Sequence, residues 1–555
     1  MSYQRANAPA HGHRWPWVAG AAVVIVFIGV LVAAFANPFE GSGDQRTSHY
    51  IEGIVGASVR VNPLFVYQSD ADRDLAALIF TGLTQLGSDG TPEPSLAESW
   101  DTSDDAKTYT FHLRAGVTWH TGAEFNAEDV LFTYGLLGNP DLQGDPDQAQ
   151  LWQTLQCSAP DNLTVTCVLP EPYAPFLTYA TIGILPKHVL GTATAASILD
   201  DPFNRAPVGT GPYRLGRLDD ARAVLSANEG FYLGAPAIEE IEVRFYPDVS
   251  AAAADVVQGE IDGLLVDLTI NPEDYRTLQS LGGLSAMPAN RSAYTSLYLN
   301  NREAPLNDQF VREAIAHTVD VDSIIADLIG GRAVRAHSPI APGTWAYDGD
   351  VDAPSNDIGV ARNLLDAGGW ELPPDATVRR RNDVELRFSI MTDQDPLRGA
   401  IADAIAEQLT EIGIEATVVR EASNTLVRDF LIPREYQAAI FGWDAGADPD
   451  PYPAWHSSQA TGEGRNLAAY VSEDADHLME AARQTVDMDE RRELYSQFQT
   501  LFAEDAPSVP LFYPIYTYFM SDRIGGVEPG VLFTTASRFG DVQDWTSDTS
   551  PALGQ

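Results

Sequence analysis

Residues 385–443 switch repeatedly between two hydrophobic periods, and this constrains the fold more than any other feature of the chain. Residues 385–391 read as a strand. Leu397, Ile401, Ile405, Leu409 and Ile412 then recur at helical spacing until Gly413 closes the stripe. Residues 414–419 are strand-like, 424–431 helical, and 436–443 form a third apolar run. Strands that alternate with helices in this way are buried on both faces. The pattern therefore predicts an α/β fold on a parallel sheet. Two more helices are expected over 474–485 and 490–504, then an aromatic-rich strand over 507–519.

A second informative stretch is residues 92–134, PEPSLAESWDTSDDAKTYTFHLRAGVTWHTGAEFNAEDVLFTY. Tyr109, Phe111 and Leu113 alternate with Thr108, Thr110 and His112, the pattern of a half-buried strand. Ala115-Gly116 is a turn signal, and residues 117–120 read as a second strand paired with the first. Asn126 stands three residues before Asp129, a capping-box start for a helix.

The residue order SLAESW, DDAKTYTFHLRAGVTWHTG and F-x-AEDV resembles the signature of the family 5 extracellular solute-binding proteins. These are the peptide, nickel and oligosaccharide receptors of ABC importers. PVGTGPYRL (207–215), QGEID (258–262), LNDQFVREAIAHTVDVD (306–322), residues 466–474, DMDERRELY (487–495) and PSVPLFY (507–513) resemble later landmarks in family order. Together they cover residues 48–538.

The resemblance implies a two-lobed periplasmic-binding-protein-like fold with an extra insert domain. Lobe I would comprise residues 48–66, 205–290 and 508–545, the insert 67–204, and lobe II 291–507. It also implies a monomer that carries a small molecule or peptide to permease subunits driven by ATPase subunits. No catalysis and no cofactor are expected. The alternatives are a neutral ligand such as an oligosaccharide, or ligand sensing without transport.

Residues 17–35 are apolar or glycine throughout, after a polar tail at 1–16 that carries Arg5 and Arg14. A helix of that length spans about 28 Å, close to the hydrocarbon thickness of a bilayer. The expectation is a transmembrane signal anchor over 17–36 and a linker over 37–47, with everything after it outside the cell and a short tail at 546–555. Ala34-Phe35-Ala36 also fits a small-x-small cleavage site, so a cleaved, secreted form is the alternative.

The formal net charge of −44 argues against nucleic acid as a partner. The acids are spread along the chain, which reads as solubility. Cys157 and Cys167 flank a turn signal, Pro160-Asp161-Asn162, and are expected to form a structural disulfide in an oxidising compartment. No metal site is expected: Asp348-x-Asp350-x-Asp352 starts like a calcium loop, but Ala353 and Gly359 occupy the positions of its turn glycine and bidentate glutamate. Gly209 and Gly211 precede Pro212 and a strand-like run, which excludes a phosphate loop. His112 and His120 read as packing or surface residues.

The stretch with functional promise is residues 441–455, FGWDAGADPDPYPAW. It leaves the carboxyl end of a buried strand, where ligands bind in open α/β sheets. Trp443 offers a flat apolar surface, and Asp444, Asp448 and Asp450 offer anions for an amine-bearing ligand. In peptide-binding relatives an aspartate three residues after the tryptophan holds the ligand's amino terminus; here that position is Gly446 and the loop is one residue shorter. Asp444, or failing that Asp448, is the expected substitute, with Trp443 stacking beside it. The resemblance adds Asn62 in a cleft loop over 56–64, Tyr294 after a lobe crossing, and Tyr516 in the aromatic return strand.

Overall fold

The computed structural model describes residues 48–146 and 148–548. The expected anchor at 17–36 lies outside the described residues. Among the described residues no helix is long and apolar enough to cross a membrane.

Strand β1 (His49–Val55) opens the fold. Helix α1 (Asp70–Ile79) follows, with Ser69 as its N-cap accepting from the Asp72 N–H. Strands β2 (Ala97–Thr102), β3 (Thr108–Leu113), β4 (Gln156–Asp161) and β5 (Thr164–Val168) form a four-stranded antiparallel sheet in the order β2-β3-β5-β4. Tyr109, Phe111 and Leu113 of β3 are buried, as their alternation predicts. Cys157 and Cys167 face each other across β4 and β5 and are joined by a disulfide. Helix α2 (Ala127–Leu137) starts at the Asn126/Asp129 capping box.

The expected pairing of residues 117–120 with β3 does not occur. That run makes one isolated bridge, Thr118 with Glu124, and β3 pairs with β2 and β5. The cause is tertiary. The Trp119 indole is buried and donates to Asp129 at the start of α2. His120 next to it bonds the backbone at Gly209 and Gly211.

The larger sheet is built from β6 (Tyr213–Leu218), β7 (Arg222–Ala227), β8 (Glu240–Tyr246), β9 (Gly263–Val266), β10 (Leu284–Asn290), β11 (Ala293–Leu299), β12 (Arg387–Thr392), β13 (Glu415–Arg420), β14 (Ala438–Asp444) and β15 (Ser508–Ser521). Helices α3 (Pro396–Thr410), α4 (Glu473–Gln484) and α5 (Met488–Asp505) flank its second half. Among the described residues twelve strands join in this sheet: ten along the path β13-β12-β14-β11-β15-β9-β1-β8-β7-β6, with β10 and a short strand at Ala333–Arg335 pairing with β15 beside it. Strand β15 makes it continuous: its first residues pair with β11, and its last pair with β9 and β10. The chain thus passes between the two halves of this sheet along β15 and again from β10 to β11, through Arg291 and Ser292.

Strands β12, β13 and β14 are parallel, as the helix–strand alternation predicts. Strand β11 joins them antiparallel through β14, and β15 pairs antiparallel with β11, so the sheet is mixed. The period of residues 385–443 carries no information about those two strands, which arrive from distant parts of the chain. One face packs on α3 through Ile401, Ile405 and Leu409. An aromatic cluster around Tyr294, Tyr298, Trp455, Phe498 and Tyr513 covers the other. The first lobe and the residues of the expected insert share one core, in which Tyr50, Leu75, Phe111, Trp119, Ile241 and Trp545 belong to a single buried cluster.

Candidate functional site

Strand β14 ends at Asp444. Successive strand residues point to opposite faces. Ala439, Phe441 and Trp443 pack on the aromatic cluster, while Ala438 and Ile440 face α3. Asp444 belongs to the latter set. The strand period therefore separates the two side chains expected to act side by side: Trp443 is half-buried against the cluster, and the Asp444 side chain is 71% exposed on the other face.

Asp444 is not alone there. Its Oδ1 lies 3.1 Å from Nη2 of Arg291, whose side chain is only 9% exposed. Nη1 of the same guanidinium donates to the carbonyls of Leu532, at 2.8 Å, and Phe533. Tyr516 of β15 lies against this group; burial pushes its phenol up to about 12, against the pull of the Arg291 charge. Arg291 thus brings together Asp444 and Tyr516, two of the residues singled out in the sequence. The Ser292 hydroxyl donates to Gly446 O at 2.7 Å, and the Ala445 N–H donates to Ser292 O at 2.9 Å. These bonds stitch the loop after β14 to the lobe crossing. Gly446 has φ +76°, a left-handed turn that suits glycine.

Sequence reasoning missed Arg291. The available signal was a lone arginine between two runs of strand length, residues 284–290 and 293–299, where a buried charge demands partners.

The other candidates are already committed. Arg491 of α5 grips Asp448 through both carboxylate oxygens, and Arg483 of α4 holds Asp450 at 2.7 Å. Burial disfavours the Arg491 charge, yet the Asp448 carboxylate holds it well above the ordinary guanidinium range. Asn62 is fully buried; its amide donates to Asn204 Oδ1 at 2.8 Å and accepts from Leu64 N–H at 3.0 Å. Tyr294 is 2% exposed, and its hydroxyl accepts from the Trp455 indole N–H at 3.0 Å. Asp448, Asn62 and Tyr294 therefore differ from the expectation that they face a ligand: each polar group is spent on a neighbour inside a lobe wall.

Residues of the expected insert also touch residues of the expected second lobe. The Ala174 N–H donates to Arg483 O at 2.8 Å, and the Trp345 N–H donates to Asp89 O at 3.0 Å. The Arg483 guanidinium lies between the rings of Tyr452, at 3.7 Å, and Tyr173, at 5.3 Å. Gly90 has φ +88°, and a side chain there would run into Ala447 O and the Phe533 ring. Among the described residues no group of three His, Cys, Asp or Glu side chains is placed to hold a metal ion. A cavity of about 650 Å³ beside Arg302, Arg428 and Glu463 is lined by none of the residues of this site.

The family model for bacterial extracellular solute-binding proteins, family 5 Middle, matches residues 91–465. The oligopeptide-binding protein AppA of Bacillus subtilis (strain 168) is 27% identical over 526 residues, which is 91% of this chain and 95% of AppA. The dipeptide-binding protein of Escherichia coli (strain K12) is 29% identical over 446 residues, 76% of this chain and 81% of that protein. Among solved structures, Bacillus subtilis AppA in complex with a nonapeptide aligns with a TM-score of 0.69 at 27% identity, covering 90% of this chain and 99% of that one. NikZ from Campylobacter jejuni in complex with Ni(L-His) aligns with a TM-score of 0.71 at 26% identity, covering 90% and 100%. The matched region includes Arg291 and the loop after Asp444, and the chain belongs to the family 5 bacterial extracellular solute-binding proteins.

Proposed function

We propose that this chain is the extracytoplasmic receptor of an ABC importer and captures oligopeptides or other amine-bearing solutes between its lobes. The peptide names of its AppA and Escherichia coli relatives support that ligand class. The observation that carries it is the exposed Asp444 carboxylate at the end of β14, beside the lobe crossing. Asp444 takes the ligand's amine, Tyr516 lines the same corner, and Trp443 forms part of the wall behind. The lobes turn about the crossings at Arg291–Ser292 and within β15. Ligand contacts made from both sides favour the closed form, so ligand shifts the population towards it. The closed, loaded receptor then meets the permease and its ATPase subunits. The anchor over 17–36 would keep it at the outer face of the membrane as a monomer.

One observation favours a second reading. Arg291 already neutralises Asp444, which suits a neutral ligand such as an oligosaccharide. Native mass spectrometry of the purified protein, followed by calorimetric titration of the ligand so identified, separates the two. Asp444→Asn is expected to weaken an amine-bearing ligand by roughly 10- to 150-fold, the scale of one hydrogen bond to a charged group. A change below about threefold, the scale of a few tenths of a kcal/mol, in a folded variant sinks the amine reading.

A further inference from the structure

We infer that Arg291 is the positioning residue for amine recognition: it presents the Asp444 carboxylate with one oxygen committed and the other open to the ligand. This rests on the reading of Asp444 as the ligand's partner.

The geometry carries it in three steps. First, the backbone of Asp444 is fixed, because it pairs with Ala293 at the end of β14. Its side chain is 71% exposed, so without a partner the carboxylate would sample several rotamers. Second, the Arg291 side chain is held in place. Its side chain is 9% exposed, and Nη1 is tied to the carbonyls of Leu532 and Phe533. Nη2 lies 3.1 Å from Asp444 Oδ1. This ion pair restricts the rotation and presents Oδ2 as the acceptor. Third, the fork of an arginine is needed. A lysine ammonium is a single point and cannot hold two carbonyls and a carboxylate in fixed directions at once.

The pair also sets what the site accepts. Arg291 is too buried, and its arms too fully used, to receive a ligand carboxylate. An incoming carboxylate would meet Asp444 Oδ2 and be repelled. A primary amine or ammonium donates to Oδ2 at little cost, since the carboxylate is already in place. An acylated amine has lost the charge and two donors. The specificity is therefore for a free amino end, read at short range by an oriented acceptor.

The test uses an equimolar mixture of free tri- to pentapeptides and the same mixture N-acetylated, with retention by the full chain read by mass spectrometry. Wild type is expected to prefer free peptides by at least about tenfold, one charge-assisted hydrogen bond. Arg291→Lys is expected to cut that preference to within about threefold, roughly 0.6 kcal/mol, whatever its effect on overall retention. A merely structural role would lower retention of both mixtures and leave their ratio unchanged. Because Arg291 is buried, Asp444→Glu is the second variant: it keeps the charge, sits on the surface, and moves the carboxylate one methylene off the Arg291 arm. It too should lose the preference. If Asp444→Glu or a folded Arg291→Lys keeps the wild-type preference while Asp444→Asn loses it, the positioning role is wrong and the amine reading stands. If wild type and Asp444→Asn retain both mixtures equally, the amine reading itself fails and takes the inference with it.

Discussion

The Arg491 guanidinium holds both oxygens of the Asp448 carboxylate, at 2.9 Å to Oδ1 and 3.1 Å to Oδ2, with 3% and 9% of the two side chains exposed. It also lies 4.7 Å over the Trp345 ring. This pair ties the loop after β14 to α5 and gives Asp448 a structural duty. Asp448→Asn leaves a buried guanidinium uncompensated, which costs roughly 3–5 kcal/mol. Asp444→Asn removes a mostly exposed partner, and its stability cost is expected to stay within about 1 kcal/mol. Thermal unfolding of the two variants checks this. Equal losses would mean that Asp448 is not the one carrying the fold.

Local periodicity made several elements legible. The alternation of Tyr109, Phe111 and Leu113, the stripe from Leu397 to Ile412 and the three parallel strands each follow from residues close in sequence. The cysteines were legible because they flank one turn. Partner choice at long range was not. Nothing near Asp448 announces an arginine 43 residues away. Nothing in residues 117–120 says that Trp119 will turn to Asp129 and leave β3 to other strands. The separation of Trp443 from Asp444 was present in the period-two rule, but the functional expectation placed them together.

His120 provides a pH prediction. Its Nδ1 accepts from the Gly209 N–H at 3.2 Å, and its Nε2–H donates to Gly211 O at 3.0 Å. Both bonds together require a neutral ring. Burial pushes its pKa down to about 4, and the nearby Arg214 charge adds to this. In the unfolded chain the imidazole returns to about 6.5, so the unfolded form takes the proton first. Its contribution is complete above about pH 6.5 and is lost as the pH falls towards 4, by up to roughly 3 kcal/mol. Unfolding temperatures of wild type and His120→Gln across that range should converge as the pH drops. Parallel curves would show that His120 does not titrate on unfolding.

The contact between Tyr173 and Arg483 joins the two sides of the cleft without a ligand. A cation–π contact contributes about 0.5–2 kcal/mol. Removing it in Tyr173→Ala should shift the closed-to-open ratio by about 2- to 30-fold. The expected result is a larger radius of gyration by X-ray scattering without ligand, and weaker binding, although Tyr173 lies outside the Asp444 corner. An unchanged scattering profile would show that this contact does not hold the two sides together.

Arg538 sits between two carboxylates. Its guanidinium lies 2.8 Å from Glu52 of β1 and 2.7 Å from Asp74 of α1, with 2%, 0% and 2% of the three side chains exposed. The hydroxyls of Tyr50 and Tyr518 donate to Glu52, and that of Thr535 donates to Asp74. Burial pushes both carboxyl pKa values up, and the Arg538 charge pulls them back. Arg538→Met removes the pull and leaves two buried acids, at a cost of roughly 3–5 kcal/mol. A folded carboxyl with a raised pKa takes up its proton at a higher pH than the unfolded chain does. The stability of Arg538→Met is therefore expected to recover relative to wild type as the pH falls from 7.5 towards 5, opposite in sign to the His120 effect. Adding Glu52→Gln and Asp74→Asn should restore part of the loss at pH 7.5 and abolish the recovery. Chemical denaturation of the single and triple variants at the two pH values measures both. If the single variant loses stability equally at each pH, the two acids are not strained by burial, and Arg538 contributes through packing against Phe539 and Tyr518 instead.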